Sequence, residues 1–227
     1  MKIVIPARYA STRLPGKPLL PIAGRPMLQY VYQRACLSQA EEVVIATDEE
    51  RIARAADGFS ARVCMTSSTH ASGTDRIAEV IDIMGWKEDE IVVNLQGDEP
   101  LMPVSLLDQV AQDLAHHAEA DTATLAAHLE HPDQVFDPNV VKVVMDKKGY
   151  ALYFSRSPSP WKRGEIHWAD PVSPHVTSGF NRHVGLYAYR AGFVREYVSW
   201  PPAPIEQDES LEQLRILWHG RRIHVSM

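Results

Sequence analysis

The sequence predicts an α/β protein, a doubly wound and mostly parallel sheet flanked by helices and extended by antiparallel strands. Three observations predict it. Over the first 120 residues, short runs rich in Ile and Val alternate with helical stretches of about ten residues. Beyond 120, strand candidates follow one another instead. No apolar run approaches the roughly 18 residues that a membrane span needs. Such alternation builds right-handed βαβ units, whose strands are buried on both faces.

Taken in order, Ile3-Val4-Ile5 reads as a short buried strand, residues 7–24 as a long loop, and residues 26–39 as a helix with Pro26 in its first position. Residues 43–46 are the next strand, and Thr47 followed by Glu50 is a capping-box pattern opening a helix through Ala56. Then come a strand at 62–65, a helix at 74–84, a strand at 91–95 ending on Gln96-Gly97-Asp98, and a helix at 103–116. The later strand candidates are 122–129, 140–145, 150–155 and 181–189, and Asp146-Lys147-Lys148-Gly149 is a hairpin signal. Four prolines within 157–180 mark an irregular excursion. Helices at 191–200 and 209–219 follow, the second with an apolar stripe of Leu211, Leu214, Leu217 and Trp218 that leaves Glu212 and Gln213 off that face. A strand-like Ile223-His224-Val225 comes last.

A chain of 227 residues, 45% hydrophobic and 23% charged, can bury a sizeable core and is neither disordered nor collagen-like. Its length suits one large domain or one domain with an appendage. The opening apolar run is broken by Pro6 and Arg8, so no export signal is read and a cytoplasmic location is expected. Cys36 and Cys64 cannot make a metal site alone and are expected to be small core residues without a disulfide. The net charge of −6 conceals an asymmetry, because residues 1–40 carry six cations and no acid. An acidic chain is a poor nucleic-acid binder, whereas a local basic loop suits a small polyanion.

In an open parallel sheet the binding crevice lies beyond the carboxyl ends of the strands. Residues 7–18 there combine Arg8, Arg13 and Lys17 with Ser11, Thr12 and Gly16, as a triphosphate cradle requires. The loop matches neither GxxxxGK[ST] nor GxGxxG, which speaks against a P-loop NTPase and a dinucleotide dehydrogenase. Asp98, directly after a central strand, could hold Mg2+ or cap the following helix. Ser72-Gly73-Thr74 opens a helix and could present amides to a base or phosphate, or serve only as a cap. On the strand at 181–189, period-two geometry sends His183, Gly185 and Tyr187 to one face, with a gap over the glycine that could seat a sugar. The remaining histidines show no metal-ligand spacing.

Together these segments resemble the CMP-Kdo synthetases, the 3-deoxy-manno-octulosonate (Kdo) cytidylyltransferases of the sugar nucleotidyltransferase superfamily. The resemblance rests on IPARYASTRLPGKPL at 5–19, VIATD at 44–48, VCMTSSTHASGTDRIAEV at 63–80, VVNLQGDEP at 92–100, NVVKVVMDKKGYALYFSRSP at 139–158, NRHVGLYAYRAGF at 181–193 and LEQLRILWHGRRIHV at 211–225. It implies a Rossmann-like domain of the nucleotide-diphospho-sugar transferase type. Within it, residues 1–120 would be the nucleotide-binding portion, 121–190 the sugar-binding and dimerisation portion, and 191–227 helices returning to the core.

The implied reaction joins CTP and Kdo, with Mg2+, to give CMP-Kdo and pyrophosphate for lipopolysaccharide biosynthesis. By the same resemblance Arg8, Arg13 and Lys17 neutralise the triphosphate, Asp98 holds Mg2+, and Ala7, Arg8, Ser11, Lys17, Ser72, Gly73 and Thr74 bind the nucleotide. Gln96, His183, Tyr187, Glu212 and Gln213 would contact Kdo. The partners implied are the two small substrates and a second copy of the chain, contacted through a β-rich arm at 130–180, with neither nucleic acid nor membrane. The family pattern also carries a later Val-Asp-Thr-x-x-Asp-Leu segment, whose first aspartate is a second metal ligand; it does not occur in these 227 residues. Alternatives are transfer to a different ulosonic acid and CTP binding without catalysis.

Overall fold

The computed structural model describes residues 1–9, 14–70, 72–164 and 178–227. They form two compact units, Met1–His116 with Leu186–Trp200, and His117–Gly185 with Pro201–Met227.

In the first unit β1 (Lys2–Pro6) leads into a loop containing a 3-10 turn, Lys17–Leu19, and a small hairpin of β2 (Pro21–Ile22) and β3 (Arg25–Pro26). The long loop expected at 7–24 therefore contains regular structure from Lys17 onward. Helix α1 (Met27–Ala35) follows, shorter than expected; Pro26 is its cap rather than its first residue, with ψ 139 in the extended region. Cys36 falls just past the end of α1 and is exposed, correcting its expected burial, whereas Cys64 is buried and both thiols are free. After β4 (Glu42–Thr47) comes α2 (Glu50–Asp57). Its cap is Glu49, whose carboxylate accepts from the Arg51 amide, while the Thr47 hydroxyl accepts from the Glu49 amide. The expected Thr47–Glu50 capping box is thus replaced by a local turn one step later.

The unit continues through β5 (Val63–Met65), α3 (Gly73–Met84), β6 (Ile91–Asn94) and α4 (Val104–His116). Strand β1 pairs in parallel with both β4 and β6, and β4 with β5, giving the order β6-β1-β4-β5. Ile3, Val4, Ile5, Val44, Ile45, Val92 and Val93 are buried. Residues buried on both faces of the sheet explain why these strands read as continuous Ile and Val runs.

In the second unit β7 (Thr122–His128), β8 (Lys142–Met145) and β9 (Ala151–Ser155) precede β10 (Asn181–Arg190). The β8–β9 pair is antiparallel, and its turn matches the hairpin signal. The Asp146 carboxylate accepts from the Lys148 and Tyr150 amides, and Gly149 supplies φ +85. The latter half of β10 belongs to the first unit and runs antiparallel to β6, followed there by α5 (Ala191–Tyr197), shorter than the helix expected through Trp200. The single helix expected at 209–219 is instead α6 (Pro204–Glu209) and α7 (Leu214–Trp218). Pro204 pre-sets the first turn of α6, and Ser210 in the left-handed region, φ 50, ends it. Strand β11 (Ile223–Ser226) closes the unit, parallel to β7.

Lys142 is fully buried, its ammonium donating to the carbonyls of Asp137 (3.1 Å), Val140 (2.6 Å) and Arg156 (2.5 Å). Burial pulls its pKa down to about 8, against the opposing pull of Asp137 and Glu209. Among the described residues no helix is long and apolar enough to cross a membrane. Of the irregular excursion expected at 157–180, residues 165–177 lie outside the described residues.

Candidate active site

The chain runs outward from β1 through β4 to β5, then returns across to β6 on the other side of β1. The reversal makes a switch point between β1 and β6, where the loops beyond the two carboxyl ends diverge and leave a crevice. The Leu95 amide still bonds the Val4 carbonyl, at 3.0 Å. Gly97 then passes so close to the end of β1 that a Cβ there would sit 2.9 Å from the Pro6 carbonyl oxygen. Only glycine permits that approach. The next side chain, Asp98, meets Lys17 across 81 positions of sequence, Oδ2 to Nζ at 2.5 Å.

Lys17 is presented by a closed loop. The Gly16 amide donates to the Tyr9 carbonyl at 2.8 Å, and Gly16 adopts φ +71 directly before the 3-10 turn. The ring of Tyr9 lies beneath the Arg51 guanidinium, 3.6 Å from its carbon. Ser11 and Arg13, read from sequence as cradle residues, lie outside the described residues.

Arg8 lies at the start of the same loop and donates to the carbonyls of His70 at 2.9 Å and Ser72 at 2.6 Å. Its guanidinium therefore ties the β1 loop to the loop before α3, and its charge is held in place by protein oxygens. Ala7 is buried, its amide on the Ala46 carbonyl. Ser72 and Asp75 complete a capping box, each side chain accepting from the other's amide. The Ser72 hydroxyl thus serves the helix start; Gly73 begins α3, and Thr74 beside it is buried. Behind them His70 pairs with Glu79, which also accepts from the Ser67 amide at 2.8 Å. Burial acts to raise the Glu79 pKa, but these two hydrogen bonds together with neighbouring positive charge, Arg76 included, hold the carboxyl below its usual range.

Sequence reasoning missed the layer beneath. Arg76, fully buried on α3, faces Asp48 at 3.3 Å and donates to the Thr66 hydroxyl. Burial lowers its pKa, opposed by the Asp48 charge. Asp48 follows β4 and Thr66 follows β5, so the rule that useful residues follow strand ends had both within reach. A fully buried arginine has no such positional signal.

The site fits Mg2+ on its donor chemistry. Asp98 offers a hard carboxylate whose side chain is 45% accessible, and among the described residues only its Oδ2 has a protein partner. Mg2+ characteristically takes one or two protein carboxylates and fills its other positions with water and phosphate oxygens.

The residues expected at the sugar divide between the units. In the first, Gln96 is exposed after β6. Tyr187 is buried, stacked on Tyr189 with ring centroids 5.7 Å apart, and in register with Asn94. In the second, the His183 ring packs edge-on against Phe154 at 5.0 Å, with Nε2 3.0 Å from the Thr124 hydroxyl. That hydroxyl donates to the Val184 carbonyl, so it accepts from His183, which assigns the ring proton to Nε2. Part of the residue remains accessible, but desolvation of the ring pushes its pKa down to about 3, and His183 is neutral at physiological pH. Glu212 is exposed, whereas Gln213 is buried and its amide nitrogen has no partner among the described residues.

Comparison with known proteins defines the class first: residues 2–223 match the model of the cytidylyltransferase family. A 3-deoxy-manno-octulosonate cytidylyltransferase of Idiomarina loihiensis is 57% identical over 99% of this chain and 88% of its own length. Its namesake in Pasteurella multocida is 52% identical over 99% of this chain and 89% of its own. A solved CMP:2-keto-3-deoxy-manno-octonic acid synthetase complexed with CTP is 40% identical, with a TM-score of 0.87 over 99% of this chain and 88% of its own. The chain belongs to the 3-deoxy-manno-octulosonate cytidylyltransferases. A 4-diphosphocytidyl-2C-methyl-D-erythritol synthase, 12% identical with a TM-score of 0.63 over 100% of this chain and 86% of its own, shares the fold alone.

Proposed function

We propose that this chain transfers the cytidylyl group of CTP to Kdo, forming CMP-Kdo and pyrophosphate for lipopolysaccharide biosynthesis. The observation that carries the reading is the Lys17–Asp98 pair, a cation and a carboxylate brought together at the switch point of a nucleotidyltransferase sheet. The anomeric hydroxyl oxygen of Kdo attacks the α-phosphorus in line. The new P–O bond forms as the bond to the pyrophosphate oxygen breaks, the electron pair leaves with pyrophosphate, and the hydroxyl proton passes to solvent.

This chain's part is positioning and charge. Lys17 supplies a fixed cation for the charge gathering on the leaving group. Arg8, held by two carbonyls, keeps the β1 loop and the Ser72–Thr74 segment together as one nucleotide surface. Mg2+ held by Asp98 would screen the phosphate oxygens. Gln96, His183, Tyr187, Glu212 and Gln213 are the residues proposed for Kdo, with His183 acting as a neutral hydrogen-bonding group.

The protein is further proposed to act in the cytoplasm as a homodimer. Leu152 on β9 and Trp161, which are 61% and 44% exposed, suit a contact between copies, and light scattering that reports a monomer at micromolar concentration refutes the dimer. The deciding experiment for the reaction is pyrophosphate release from CTP, Mg2+ and Kdo. Release with Kdo but not with sialic acid supports the reading, and release with a different ulosonic acid alone replaces the substrate.

A further inference from the structure

Segment 204–218 in the second unit is bracketed more firmly than two short helices require. Arg215 reaches back nine positions to Glu206 in a two-pronged pair, Nε to Oε2 at 2.7 Å and Nη2 to Oε1 at 2.6 Å, and both residues are buried. Glu206 Oε2 also accepts from the Ala203 amide at 2.9 Å. The four residues 210–213 are thereby closed into a loop whose ends the pair fixes. Within it the Leu211 amide returns to the Glu206 carbonyl, and the Arg215 and Ile216 amides return to the carbonyls of Glu212 and Gln213. The other end is clamped to β9, where Glu209 accepts from the Ser155 hydroxyl at 2.7 Å and the Arg156 amide at 2.9 Å.

A buried ion pair of this kind is weak evidence for stability, because desolvating two charges offsets most of their attraction. Its best-attested use is to fix one arrangement among several. What it fixes here is the loop carrying Glu212 and Gln213, and the Gln213 amide nitrogen is buried with no partner among the described residues. An unmet buried donor is costly, and a bound oxygen would satisfy it.

We infer that Glu206 and Arg215 are a positioning pair for the sugar acid: they hold Gln213 so that its amide meets a polar oxygen of Kdo, and so set the KM for Kdo without touching it. This rests on the proposed cytidylyl transfer to Kdo and goes further by naming what aligns one of its contacts.

The test compares Glu206→Leu/Arg215→Met, which removes both charges, with Arg215→Lys, which keeps the charge and loses the fork, and with Gln213→Ala. Removing both partners of a buried pair is tolerated far better than removing one, so the double variant is expected to fold, with a modest loss of melting temperature from the Ala203 amide that loses its acceptor. Its KM for Kdo should rise about tenfold with the KM for CTP unchanged, and Gln213→Ala should show a similar rise. Arg215→Lys should fall between parent and double variant, and it decides the matter if the double variant does not fold. A folded double variant, or failing that Arg215→Lys, with the parental KM for Kdo overturns the positioning role while Gln213→Ala still raises that KM. Loss of activity that follows only the folded fraction, with both KM values intact, also overturns it. If Gln213→Ala leaves the KM for Kdo unchanged, the inference falls at the Kdo contact; if the parent does not turn over Kdo, it falls with the proposed reaction.

Discussion

The loops beyond β1 and β6 and the 204–218 segment both present polar side chains, but they are held by opposite means. In the first unit the groups are placed by backbone: Gly97 passes against Pro6, Gly16 turns left-handed, and the Lys17–Asp98 pair they bring together is more than one-third accessible. In the second unit buried charges take that part, with Arg215 on Glu206 holding the loop and, elsewhere in the unit, Lys142 on three carbonyls. Accessible pairs contribute little to stability, whereas a buried charge that loses its partner costs several kcal/mol. At the Lys17–Asp98 pair function should therefore separate from stability, whereas in the second unit taking away a single partner of a buried charge should cost stability.

The largest expected effect tests that separation directly. Asp98→Asn should reduce pyrophosphate release about 1,000-fold, a magnitude typical of losing a group that acts on transition-state charge, while thermal melting stays within a degree or two. Near-parental turnover at saturating Mg2+ would remove Asp98 from the metal role. In the second unit Lys142→Met takes the donor from three carbonyls that the buried ammonium joins, and urea unfolding should report a loss of about 3 kcal/mol. An unchanged midpoint would show that the buried lysine contributes nothing to that unit.

Gly97→Ala is intermediate in kind, because it strikes the backbone that delivers Asp98. Forcing a methyl to 2.9 Å from the Pro6 oxygen should cost about 1–3 kcal/mol and lower turnover as Asp98 is pushed away from Lys17. If stability fell but turnover per folded molecule did not, the glycine would be a packing feature only.

The smallest effect concerns acid. His183 is neutral in the fold, its pKa depressed to about 3 from 6.5. Between those values the unfolded chain binds a proton that the folded one refuses, so this group's contribution falls as pH falls through 6.5 and levels off near 3. The loss should be about 1 kcal/mol between pH 7 and pH 5.5, and His183→Gln, which cannot titrate, should flatten that slope in urea unfolding curves.

The same contrast explains what could be read in advance. Ile3-Val4-Ile5, Val43-Val44-Ile45 and Ile91-Val92-Val93 announce buried parallel strands by composition, and Gln96-Gly97-Asp98 announces a loop at a strand end. Asp146 to Gly149 spells its own turn. These signals are local, so a sequence displays them. Leu211, Leu214 and Leu217 instead satisfied a helical period although the helix begins only at Leu214, after the turn at 210–213, and nothing nearby in sequence marks Glu206 and Arg215 as partners. Asp48 and Arg76 escaped notice for the same reason, since their pairing joins different strands and helices. Cys36 was misread because α1 ends at Ala35, four residues short of the helix expected through residue 39.

The bond between Lys17 and Asp98 also has a bearing on how the molecule comes into being. Its members are 81 positions apart, and those of the Arg8–Ser72 contact 64 apart, with parallel strands between. Contacts of such long range form only after the intervening chain has closed, and parallel pairing is intrinsically slow. Helices can therefore appear well before the catalytic loops meet. During refolding, recovered turnover should lag behind recovered helical signal, which makes activity a clock for the last stage of assembly rather than the first.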